Sequence, residues 1–158
     1  AKLIINDDIW LAIEIGADGA HIGRDDAPGG SLTAARNALG PQRILGVSCY
    51  NDLTRATEAA AAGADYLAFG SIFDSRTKPG ATHAPLELLT EAKQRFKLPI
   101  VAIGGITLDN APAVLAAGAD LLAVASNLFD VMDIQSRAEA YGALFRPAAR
   151  STTTDPVT

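Results

Sequence analysis

Six short apolar runs, at residues 3–5, 20–22, 44–47, 66–69, 100–103 and 121–124, punctuate the sequence, and each is continuous rather than alternating in polarity. Strands covered on both faces read this way, so the runs predict a parallel sheet. Between them lie Ala-rich segments with helical spacing, at 9–15, 32–39, 53–62, 86–96 and 111–117. Strand and helix alternate, which is the pattern of an α/β fold. The tripeptide Gly-Ala-Asp recurs at residues 16–18, 63–65 and 118–120, each time between a helix and the strand that follows. Its Gly suits the left-handed turn that ends a helix, and its Asp suits a loop or capping role, so Asp18, Asp65 and Asp120 read as structural. Ser31, Asp52 and Asp109 stand where side-chain oxygens can cap the next helix.

A chain of 158 residues fits one domain, and 49% hydrophobic residues suffice for a core. Residues 1–146 form one β/α domain in this reading, and residues 147–158, with their Ser-Thr-Thr-Thr run, are expected to be a disordered tail. One Cys excludes an intramolecular disulfide. With 13 Lys and Arg against 18 Asp and Glu, the net charge of −5 lacks the basic footprint of a nucleic-acid-binding protein. Any anion bound must be held by local groups. The apolar runs are far shorter than the roughly 18–20 residues that cross a bilayer, and the N-terminus shows no signal-peptide pattern. The expectation is a cytoplasmic protein with neither a membrane nor a nucleic acid as partner.

Almost every unusual polar cluster comes directly after a strand, where parallel β/α folds build their active sites. Asp7 and Asp26 end sequence-adjacent strands, which lie about 5 Å apart when paired, so both carboxylates can reach one cation. Such hard oxygen ligands suit Mg²⁺, which takes one or two carboxylates and leaves other positions to water and phosphates; helix capping is the alternative use. Asp8 and Asp25 read as capping or exposed. The polar stretch 71–80 exceeds the usual two to about six residues of a βα loop. Within it Ser75, Thr77 and Lys78 offer two hydroxyls and an ammonium, groups that neutralise a phosphate. Gly104-Gly105 and Ala125-Ser126 follow the last two runs, and such loops are the usual phosphate site of a β/α barrel. His21, inside an apolar strand, reads as a satisfied core histidine. Cys49 reads as structural, with neighbouring Ser48 on the opposite face, and His83 as loop surface.

Taken together, Asn6-Asp7-Asp8, Asp18-Gly-Ala-His-Ile-Gly23 followed by Asp26, Gly46-Val-Ser48, Gly63-Ala-Asp-Tyr66, Ser75-Arg-Thr77-Lys78-Pro and Ile103-Gly-Gly-Ile106 closely resemble the thiamine phosphate synthase family, with every motif in order across residues 3–145. The resemblance implies a TIM-type (β/α)8 barrel. It implies a transferase that joins hydroxymethylpyrimidine diphosphate to a thiazole phosphate and releases pyrophosphate, by a dissociative route needing no protein nucleophile. Position by position, Asp7 and Asp26 resemble the Mg²⁺ ligands and Asn6 a pyrimidine diphosphate contact. Ser48 and Lys78 resemble the catalytic contacts on the diphosphate side. Ser75, the Arg76 backbone and Thr77 resemble the thiazole phosphate loop, and Gly105, Ala125 and Ser126 the remaining phosphate contacts.

The chain departs from the family in carrying Arg24 where Gln is frequent and Ser75 where Thr is common. The resemblance also implies two βα units ahead of Ala1, about 50 residues, with a Gln-Arg-Lys cluster at the second strand end. The sequence lacks an initiator Met and opens inside an apolar run, so it is expected to be strands 3 to 8 of such a barrel, and its activity to need the front units. A thiazole tautomerase-like relative and an inactive phosphate-binding fragment are the rival readings; Tyr50, where the tautomerase branch has His, favours the synthase. Self-association is left open.

Overall fold

The computed structural model describes residues 1–74 and 82–146. Ser75, Arg76, Thr77, Lys78 and the expected tail at 147–158 lie outside the described residues. The elements run β1 (Ile4–Asn6), α1 (Ile9–Glu14), β2 (Gly19–Ile22), α2 (Leu32–Leu39), β3 (Ile44–Tyr50), α3 (Leu53–Ala61) and β4 (Tyr66–Phe69), followed by α4 (Leu86–Arg95), β5 (Ile100–Ile103), α5 (Ala111–Ala116), β6 (Leu121–Ala123), α6 (Ser126–Phe129) and α7 (Ile134–Ala143). All six strands are parallel and pair in chain order.

The register sorts side chains onto two faces. Ile22, Val47, Leu67 and Ile100 are register partners and all fully buried. They meet helix residues such as Ala12, Ala35, Ala56, Ala92 and Val114 in one core. Small alanines let helices approach closely, and each large side chain so buried contributes about 1.5–3 kcal/mol. On the opposite face Asn6, His21, Gly46 and Tyr66 align in one layer, and Ser48, Ala68, Val101 and Leu121 in the next. That inner face carries the chemistry.

Helix starts follow the sequence in three of the four expected places. Asp8 accepts from Leu11 N at 2.9 Å, Ser31 from Ala34 N at 3.2 Å, and Asp52 from Thr54 N and Arg55 N at 2.8 and 3.1 Å. The expected cap Asp109 does not serve. Instead Asn110 Oδ1 accepts from Thr107 N at 2.8 Å, and Thr107 Oγ1 accepts from Asn110 N at 3.3 Å, so the loop closes on itself.

The Gly-Ala-Asp repeats are joints, as their spacing implied. Gly16, Gly63 and Gly118 have φ of 68°, 88° and 110°. Each Asp then reaches an amide at the start of the preceding strand: Asp18 accepts from Leu3 N at 2.8 Å, Asp65 from Leu45 N at 2.7 Å and Asp120 from Ile100 N at 2.8 Å. Lys2, Arg36 and Lys93 respectively complete the charge pairing. Arg36 also donates to the carbonyls of Gly40, Arg43 and Gly63.

The Lys2 ammonium and the Leu3 amide hold the Asp18 carboxyl below its ordinary range. At Asp120 burial pushes upward, but the Ile100 amide and Lys93 outweigh it, so the net direction is again down. A carboxylate whose folded pKa is depressed contributes stability that is present above its unfolded value, about 3.9, and is lost as pH falls through the folded value. Thermal stability is therefore expected to fall below about pH 4. Asp18→Asn should flatten that acid limb in a melting-temperature series; an unchanged limb would count against the joint.

Candidate active site

The site sits on the inner face and at the carboxyl ends of the strands. Tyr66 lies across Gly46, where an added Cβ would stand 2.0 Å from the ring Cζ, and so reaches over β3 to His21 on β2. Its hydroxyl is 2.9 Å from His21 Nδ1, and His21 Nε2 is 2.8 Å from Ser48 Oγ. Burial pushes the Tyr66 hydroxyl up to about 12, so it stays a neutral phenol at neutral pH. His21 bridges the Tyr66 and Ser48 hydroxyls through its two ring nitrogens. His21 is thus satisfied, as its strand position implied, yet it sits in the site rather than in the apolar core.

Cys49 points the other way. It is fully buried on the helix face, and burial pushes its thiol up to about 12, which suppresses the thiolate. The sequence reading of a structural Cys beside an inward Ser48 holds.

Beyond this chain opens a cleft of about 610 Å³, lined among others by Ser48, Tyr50, Ser71, Gly105, Ala125 and Ser126. Gly104 and Gly105 have φ of 98° and 61°, and the segment 71–74 packs directly on them. A Cβ on Gly105 would lie 2.4 Å from Asp74 O, and Phe73 N donates to Gly104 O at 3.1 Å. The glycine pair therefore makes room for the start of the long loop. Ser126 opens α6, which α7 holds in place: Arg137 Nη1 and Tyr141 Oη donate to Asn127 Oδ1 at 3.0 and 2.7 Å. Asp74 and Asp130 also line the cleft, and Asp74 Oδ1 pairs with His83 Nε2 at 3.0 Å.

Asn6, Asp7 and Asp26 do not line this cleft; Asn6 ends β1, Asp7 follows it, and Asp26 comes just past the end of β2. Asp7 has φ 68° and its amide donates to His21 O at 2.8 Å, which fastens it to the end of β2. Asp26 Oδ2 accepts from Gly23 N at 2.6 Å, closing the turn just past the same strand. One carboxylate oxygen of Asp26 is thus used locally, in closing a turn and not in capping the helix that follows. Among the described residues no cluster of three or more His, Cys, Asp or Glu could hold a metal. Asp7 and Asp26 are hard oxygen donors of the kind Mg²⁺ takes, one or two at a time, with water and phosphate oxygens completing its shell.

Residues 1–128 match the family model described as thiamine monophosphate synthase. The chain belongs to the thiamine monophosphate synthase family. Within that family, the thiamine-phosphate synthase of Azoarcus sp. (strain BH72) is 60% identical over 143 residues, covering 90% of this chain and 68% of the relative. That of Aromatoleum aromaticum is 57% identical over 142 residues, covering 90% and 67%. A solved thiamine phosphate pyrophosphorylase from Pyrococcus furiosus superposes with a TM-score of 0.80 at 35% identity, covering 91% of this chain and 67% of that one. The chain spans about two thirds of the length of these relatives. A 3-hexulose-6-phosphate synthase, with a TM-score of 0.66 at 23% identity, shares the fold, in keeping with a TIM-like α/β architecture.

Proposed function

We propose that this chain performs the reaction its relatives are named for: joining hydroxymethylpyrimidine diphosphate to a thiazole phosphate, giving thiamine phosphate and pyrophosphate. The observation that carries it is 60% identity across 143 residues to a thiamine-phosphate synthase. The finer architecture, an eight-stranded β/α barrel to which this sheet contributes six strands, belongs to the same proposal.

In this reading the bond between the pyrimidine methylene carbon and the diphosphate oxygen breaks, its electron pair leaving with pyrophosphate, and the thiazole nitrogen supplies the pair for the new C–N bond. Asp7 and Asp26 would hold a Mg²⁺, whose charge neutralises the departing diphosphate. Ser48, held by its contact with His21 Nε2, donates to a diphosphate oxygen, and Lys78 adds a cation there. Asn6 contacts the pyrimidine diphosphate. Ser75, the Arg76 backbone and Thr77 take the thiazole phosphate, with Gly105, Ala125 and Ser126 completing its contacts. The chain's work is alignment and electrostatics.

The test is pyrophosphate release by the full-length protein with both substrates. Release that needs the thiazole phosphate is expected. Release without it, or none with both present, would overturn the reading.

A further inference from the structure

Asp26 does not line the cleft, yet one side chain ties its turn to the strand end that does. Arg55 is the third residue of α3, and its backbone is pinned by the Asp52 cap. From there its Nε donates to Ser48 O at 2.7 Å and its Nη2 to Gly23 O at 2.8 Å. Ser48 belongs to the cleft, and Gly23 is the residue whose amide Asp26 accepts.

Tyr50 reinforces the same bridge. It holds φ 56°, a region bulky residues rarely occupy, and so turns its ring between two guanidiniums, Arg24 at 5.3 Å and Arg55 at 5.9 Å from the ring centroid. Its hydroxyl accepts from Arg24 N at 3.0 Å. A Cβ on Gly23 would lie 2.9 Å from both Asp26 Oδ2 and Tyr50 Oη, so a side chain there would displace one or both. The turn bearing Asp26 is thereby fixed from β3 and α3 as well as from within.

We infer that Arg55 is a positioning residue that ties the turn carrying Asp26 to the strand end carrying Ser48, and so sets the Asp26 carboxylate for the metal-bound diphosphate. The inference rests on the proposed function. A planar fork with two donors on one edge can bridge two carbonyls, whereas the single ammonium of Lys cannot hold both in the same geometry.

Calorimetry with Mg²⁺ and inorganic pyrophosphate, and separately with thiazole phosphate, tests it. Arg55→Met should weaken Mg²⁺–pyrophosphate binding about tenfold, the loss expected for charge-assisted hydrogen bonds, with thiazole phosphate binding within about twofold. Arg55→Lys should fail to restore it. In the metal-free protein, amide exchange at residues 23–26 should quicken while the rest of the sheet is unchanged. If Arg55→Met does not fold, Tyr50→Phe, which deprives Arg24 N of its acceptor, should produce the same selectivity at smaller size. Equal loss for both ligands, or none for pyrophosphate, would overturn the inference alone. Failure of the unsubstituted protein to bind Mg²⁺–pyrophosphate would overturn the proposed function with it.

Discussion

Asp26→Asn lowers turnover at least about a hundredfold, the scale on which a single electrostatic group acts on developing charge. The substitution separates charge from geometry. An Asn amide oxygen can still accept the Gly23 amide that Asp26 Oδ2 receives at 2.6 Å, so the turn survives. What disappears is half of the negative charge offered by Asp7 and Asp26. The Mg²⁺ concentration for half-maximal rate should rise, while thiazole phosphate affinity stays within about twofold. Steady-state kinetics across a Mg²⁺ series, with a melting curve on the same sample, reads both. A uniform loss accompanied by a lowered melting temperature would show a damaged fold and remove Asp26 from the proposed metal site.

Gly19→Ala costs about 3 kcal/mol of stability, at the upper end of overpacking penalties. The Cβ would stand 2.1 Å from Ile44 O and 2.8 Å from the carbonyl carbon of Ile44. Gly19 and Ile44 are register partners, so relief requires opening the β2–β3 ladder where it starts. For a domain of this size the melting temperature should fall by roughly 6–12 °C. Gly142→Ala is the control: no atom lies within 4 Å of its added Cβ, and the position is inside α7, so the change should be neutral or slightly stabilising. If both variants melt alike, the close approach of β2 and β3 at Gly19 is not limiting.

The strands were legible because each is a short apolar run, and runs 66–69 and 100–103 coincide with β4 and β5. β3 extends past its apolar part to Tyr50, because Ser48 and Tyr50 face the polar inner side while Cys49 faces the helices. Alternation within the strand could have signalled this. α7 went unread: Tyr141 is its only buried residue among the described side chains, so it has no apolar stripe. α6, at four residues, is too short for periodicity to register.

In the site, residue identity was legible and partnership was not. Ser48, Gly105, Ala125 and Ser126 fall in one cleft as the strand-end rule implied. His21 was readable as satisfied, but its partners Ser48 and Tyr66 lie 27 and 45 residues away and need the register to find them. The roles of Tyr50 and Arg55 depend on carbonyls and amides that carry no sequence signature at all.

The aspartate joints fasten β2 back to β1, β4 back to β3 and β6 back to β5, and none runs from β3 to β2 or from β5 to β4. The sheet is thus assembled from three β-α-β modules, each closing its own amide with its own carboxylate. A wall of this kind can grow or shrink by whole modules with every clasp still matched. Inserting one lone βα unit would break the rhythm, stranding a strand's leading amide or leaving a carboxylate nothing to grip.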